Sequence, residues 1–153
     1  MSPPDPRRSI LSVTSEIPWP LDSGGHLRTF HLLHALAQDF HVRLVAGVKD
    51  EQPDPVDALM RAGIDVRPVR LSGRGRGTEA SRVLSAALHR EPYVLYRRHG
   101  RAEVRAALDD ELARGKPALL YLDHLDSWQF ASQAAHTPVI IDLHNLLSRY
   151  YGY

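Results

Sequence analysis

Two apolar runs of this chain each end in an acid and a histidine. The first delivers Asp123-His124; the second delivers Asp142, then His144 and Asn145. An imidazole at such a position can donate to a hydroxyl or a phosphate oxygen, and a neighbouring carboxylate can fix its tautomer. Capping of the following helices and satisfaction of loop backbone is the alternative use of these residues. A third feature lies near the start, where Pro18-Trp19-Pro20-Leu21-Asp22-Ser23-Gly24-Gly25 runs straight into a helical pattern. Two glycines at a helix start let backbone N–H groups approach a ligand closely, and that end of a helix favours an anion such as phosphate. Arg28, in the first turn, adds a guanidinium able to grip an anion with two donors. The alternative for the glycines is a tight turn. The stretch matches neither the dinucleotide-binding fingerprint nor the P-loop.

Other chemistry is excluded by what the sequence lacks. With no cysteine among 153 residues, disulfides, thiolate metal sites and cysteine catalysis are ruled out. G-x-S-x-G, H-E-x-x-H and EF-hand patterns are absent too. His31 and His34 share a helix at a spacing that could ligate a metal, but no third ligand follows, so they read as an exposed face. The formal net charge of +1 gives no general electrostatic case for nucleic-acid binding. Two local basic stretches stand out: Ser72-Gly73-Arg74-Gly75-Arg76-Gly77, and Arg97, Arg98, Arg101 and Arg105. They read as solvated surface, with an anionic lipid or a phosphorylated acceptor as the sharper alternative.

The elements that position these residues follow from periodicity. Strands are expected at 9–14, 42–46, 64–69, 118–122 and 139–143. Helices are expected at 26–40, from Asp54 to Gly63, at 79–89, 101–113 and 127–135. Pro68 inside the third strand marks it as an edge. The fourth and fifth strands are almost continuously apolar, as strands covered on both faces should be. Alternating strands and helices give the fold class: an α/β, Rossmann-like parallel sheet flanked by helices. Ligands of such sheets sit beyond the carboxyl ends of the strands, where Gly24, Asp123 and His144 fall.

These residues also resemble a known family. The run Ile10 to Ser15, then Pro18 to Pro20, Asp22-Ser23-Gly24-Gly25 and Arg28-Thr29, is similar to the N-terminus of family 4 glycosyltransferases. Val139-Ile140-Ile141-Asp142-Leu143-His144-Asn145 looks like that family's fifth strand and the histidine after it. The resemblance implies a GT-B architecture of two Rossmann-like domains across a cleft. It implies transfer of a sugar from a nucleotide-sugar, with retention of configuration, to a glycan or lipid-linked acceptor. No metal or other cofactor is expected, the nucleotide-sugar being a co-substrate.

By the same resemblance, Gly24 and Gly25 bind the donor phosphates, to which Arg28 adds its guanidinium on the reading of the helix start above, and His144 acts beside the transferring sugar. Asp123, His124 and Asn145 line the acceptor side. Residues 1–153 would then form one N-terminal domain, cut short, with the donor-binding C-terminal domain as the missing partner. The last residues, from Asn145 to Tyr153, begin a helix that looks interrupted. A stand-alone binding subunit that needs a partner chain, or a domain for another phosphorylated ligand, is the alternative. The expected location is cytoplasmic, with peripheral contact to an anionic membrane.

Overall fold

The strand-forming runs pair into one five-stranded sheet in which every neighbour is parallel, in the order β3-β2-β1-β4-β5. This is a computed structural model, and it describes residues 8–48, 53–71, 101–134 and 136–143. The strands are β1 (Ser9–Thr14), β2 (His41–Val48), β3 (Ile64–Arg70), β4 (Leu119–Asp123) and β5 (Val139–Asp142). Between them lie α1 (Gly24–Leu36), α2 (Pro53–Arg61), α3 (Ala102–Arg114) and a 3-10 helix at Leu125–Ala134. The expected α/β, Rossmann-like architecture is the one observed. The helix expected at 79–89, the Gly/Arg stretch at 72–77, Arg97 and Arg98, and everything from His144 onward lie outside the described residues.

Alternation along each strand divides the interior into two cores. Ile10, Val42, Leu44, Ala46, Ile64, Val66 and Tyr121 turn to one face, where Leu33 and Ala37 of α1 and Leu59 of α2 cover them. Leu11, Val13, Val45, Leu120 and Leu122 turn to the other, against Val104, Ala107 and Leu108 of α3 and Phe130 of the 3-10 helix. The sheet grows in one direction from β1 to β3 and in the other from β1 to β5, so its connections fall on opposite faces. Burial of the twelve largest fully enclosed side chains, Phe130 and eleven aliphatics, supplies the main driving force at about 1.5–3 kcal/mol each.

Four local expectations are corrected. Helix α1 starts two residues earlier than periodicity placed it, because Ser23 caps it and accepts from the His26 amide at 3.2 Å. It also ends at Leu36: the Gln38 and Asp39 amides close short turns on Ala35 and Leu36. Phe40 still reaches the core from that turn and so mimics another helical position. The segment after β4 winds as a 3-10 helix, tied down by Ser127, whose hydroxyl donates to the Asp123 carbonyl at 2.7 Å. Finally, β4 is enclosed but β5 is not. It pairs only with β4 among the described residues, and Ile140 is 52% exposed. Its apolar run therefore does not signify burial on both faces. The edge reading of β3 agrees with the described residues, among which β3 pairs only with β2.

Candidate functional site

Strand order reverses between β1 and β4, which opens a crevice at their carboxyl ends. The loop from β1 into α1 forms one wall, and it is well anchored. The Ile17 amide donates to the Gly47 carbonyl at 3.0 Å, and His26 Nδ1 donates to the Pro20 carbonyl at 2.7 Å. His26 also lies 3.4 Å from Asp22 and 3.7 Å from Glu16. Gly47 is required for this approach, since a Cβ there would overlap the Ser15 carbonyl oxygen and the Leu71 side chain. The loop delivers Gly24 and Gly25 to the first turn of α1, both exposed. A Cβ on Gly24 would meet nothing within 4 Å. Neither packing nor a left-handed φ therefore demands glycine at position 24, and the bare backbone faces open space.

One turn further along, α1 reaches over the ends of β4 and β5. Asp123 and Asp142 are register partners, so their side chains share the α1 face of the sheet. Thr29 Oγ1 donates to the Asp123 carboxylate at 3.0 Å. Arg28 grips Asp142 with a two-donor fork, Nε to Oδ2 at 3.0 Å and Nη2 to Oδ1 at 2.9 Å. The Tyr121 hydroxyl donates to the same Oδ2 at 2.9 Å. Burial, followed by this bond to a carboxylate, pushes the Tyr121 phenol far above its ordinary value, so it is a fixed donor. The bond to Asp142 likewise raises the Arg28 pKa. Ser12 and Thr14 lie on the same face of β1, fully buried, with hydroxyls that find no partner among the described residues.

His124 closes the group. Its φ of 70° puts a non-glycine residue in the left-handed region, a conformation that concentrates at functional sites and turns. Its amide donates to the Asp142 carbonyl at 3.0 Å. Its ring Nδ1 lies 3.3 Å from Oδ1 of Asp126, a residue only 7% exposed. The Asp126 carboxylate beside it raises the imidazole pKa, with Asp123 and Asp142 acting in the same sense and burial opposing. His124 thus has a buried carboxylate beside one ring nitrogen, a neighbour that favours the protonated ring.

Sequence-predicted positions fare unequally. Gly24, Gly25, Arg28, Asp123 and His124 do come to one end of the sheet. Arg28 directs Nε and Nη2 to the Asp142 carboxylate. Asp123 is engaged by Thr29, and His144 and Asn145 fall outside the described residues. Periodicity overlooked Thr29, Tyr121 and Asp126. Asp126 was within reach of sequence reading, two residues past His124; Arg28 and Asp142 are 114 positions apart and no local pattern joins them. Arg105, counted in a basic surface cluster, packs inward. It lies over the Phe130 ring at 5.5 Å and bonds Gln133 and the Gln129 carbonyl, which joins α3 to the 3-10 helix.

His34 donates to the Ala62 carbonyl at 2.8 Å and stacks on Phe30. Among the described residues no three His, Asp or Glu side chains are grouped to hold a metal, and no helix is long and apolar enough to cross a membrane. An open groove of about 580 Å³ runs beside Arg28 along α1, lined by Leu27, Arg28, His31, Leu32 and Ala35. No protein-family model, no curated protein and no solved structure matches this chain.

Proposed function

We propose that this chain is the N-terminal, acceptor-side half of a retaining glycosyltransferase of GT-B architecture. In this reading a sugar moves from a nucleotide-sugar to a glycan or glycolipid acceptor. The observation that carries it is the exposed Gly24-Gly25 start of α1, directly after β1 and beside the order reversal of the sheet. The leaving diphosphate gains negative charge as the glycosidic bond breaks. Backbone N–H groups and the positive end of a helix stabilise that charge without reorganising. The likeness of the Gly-Gly loop and of the Asp142 to Asn145 stretch to family 4 enzymes supports the same assignment. His144 is then the histidine beside the transferring sugar, and His124, with the Asp126 carboxylate beside it, faces the acceptor side. A second α/β domain supplies the nucleotide site, as a continuation of the chain or as a partner.

The test begins with the reading frame beyond the Tyr153 codon. The complete gene product is then assayed with UDP-glucose, UDP-N-acetylglucosamine and GDP-mannose, with water and simple glycosides as acceptors. The reading expects a second α/β domain and nucleoside diphosphate release by the complete product, but none by residues 1–153 alone. Sustained turnover by the 153-residue chain would contradict the division of labour. A complete product that binds phosphorylated ligands and never releases nucleoside diphosphate would favour a binding subunit instead.

A further inference from the structure

Asp142 is the last residue of β5, and hydrogen bonds from two other elements and from the turn after β4 converge on it. Arg28 of α1 takes both carboxylate oxygens, Tyr121 of β4 donates to Oδ2, and the His124 amide donates to the main-chain carbonyl. Among the described residues, the strand's other restraints are its ladder to β4 and the packing of Val139 and Ile141 against the α3-side core. β5 has four residues, hydrogen-bonds only along β4 among the described residues, and leaves Ile140, and Leu143 just after it, more than half exposed. A short edge strand of this kind frays readily, because its opening exposes few apolar contacts. The clamp on Asp142 therefore holds the last residue of the strand, beyond the reach of the Val139 and Ile141 packing.

From this geometry we infer that Arg28, Asp142 and Tyr121 are positioning residues for the β5 terminus, and that Arg28 is not a ligand of the donor phosphates. The inference rests on the proposed transferase reading, in which His144 acts two residues beyond the clamp. Its physical basis is the fork. Two parallel charge-assisted bonds set the angle as well as the distance between α1 and β5, which a point charge does not do. Tyr121, only 4% exposed, holds the carboxylate in the plane that the fork requires. The same pairing offsets the Arg28 charge, and Asp123 lies beside it in register. A polyanionic diphosphate is not attracted there and stays with the Gly24-Gly25 backbone.

The two roles for Arg28 differ in kinetics. A phosphate ligand lost by Arg28→Ala raises the donor KM. A positioning residue lost there lowers kcat and leaves the donor KM alone. For the complete gene product acting on its best donor, the expected result is a kcat loss on the order of 10- to 100-fold, the scale of a small misplacement of a reacting group. The donor KM should stay within about twofold. Arg28→Lys keeps the charge but loses the fork, so it should not restore kcat. Tyr121→Phe, which removes one oxygen, should lower kcat in the same sense.

A structural readout accompanies this in the 153-residue chain. Tyr121→Phe should speed amide exchange at Ile141, Asp142 and Leu143 while Leu11 and Val45 stay protected. A raised donor KM with kcat intact, or full rescue by lysine, overturns the positioning role and leaves the transferase reading standing. A complete product that turns over none of the three donors overturns the transferase reading and this role together. Unchanged exchange at the end of β5 in Tyr121→Phe overturns the clamp itself.

Discussion

Two arginine–carboxylate clusters lie at opposite ends and on opposite faces of the sheet, and they differ in what they leave open. Glu111 of α3, 7% exposed, is surrounded: Arg43 reaches Oε2, while Arg67 and Arg114 reach Oε1 at 2.9 and 3.2 Å. Arg67 also binds Asp110 at 2.7 Å and the Ala107 carbonyl at 3.1 Å, and Arg43 reaches the Gly115 carbonyl at 3.4 Å. This network joins β2, β3 and the end of α3 toward the amino ends of the strands. At the carboxyl ends, Arg28 also grips a mostly buried carboxylate, yet its own side chain is 55% exposed. The first cluster gathers three guanidinium groups on one buried carboxylate and ties three elements together, as a device that fixes the fold does. Arg114 and Asp110 at its rim stay exposed. The second borders exposed glycine backbone, a left-handed histidine and an open groove. A carboxylate–guanidinium pair in this fold is therefore no indicator of function until its surroundings are known.

The contrast breaks most decisively at Glu111. Glu111→Ala removes the acceptor of three arginines and leaves Arg43, itself only 14% exposed, with an uncompensated charge. A loss of about 3 kcal/mol in urea unfolding is expected, the low end for breaking a buried pair. A loss below about 1 kcal/mol would place this cluster among ordinary surface pairs.

A smaller effect is expected where β2 meets the loop of the opposite end. Gly47→Ala should cost about 1–3 kcal/mol, the scale of an overpacked site, because the new methyl must displace backbone at Ser15. The accompanying amide shifts should concentrate in residues 15–25 of the loop and spare Glu111. Shifts spread evenly over the sheet would mean that the loop is not independently set.

The smallest effects are in pH dependence, and they run in opposite directions at the two ends. The raised His124 pKa means that its contribution to stability is complete below the unfolded value of about 6.5 and fades as pH rises through the folded value. Asp126→Asn should bring the imidazole back down, read from its ring proton shifts. Asp110 is held below the usual carboxylate range by its bond to Arg67. Its contribution is complete above the unfolded value near 3.9 and fades as pH falls through the folded one. Asp126→Asn with an unchanged His124 titration would remove the pairing from the account.

How much of this could be read from the sequence follows from the range of the forces involved. Alternation and helical period act locally, so β1 was bounded correctly and five strands were found. The edge position of β3 was carried by one proline. The fate of Arg28 was beyond such reading, because its partner is distant in the chain and only the register of β4 with β5 brings it near. Phe40 misled for a related reason: core burial repeats a helical interval even after the helix has ended. The exposed face of β5 shows the reverse, an apolar run whose cover does not come from the described residues. Gly24 and Gly25 were legible as a helix start, but that a side chain at Gly24 would meet empty space was visible only in three dimensions.

The most direct test of the central claim, that the working end of this sheet is the one marked by Gly24, is a titration of the isotope-labelled 153-residue chain with inorganic pyrophosphate, followed by amide shifts. The account predicts saturable movement of the Gly24, Gly25 and His26 amides, with Glu111 and Gly115 still. Movement centred on Arg114, Gly115 and Lys116 at the opposite end, or none at Gly24 and Gly25, would contradict it.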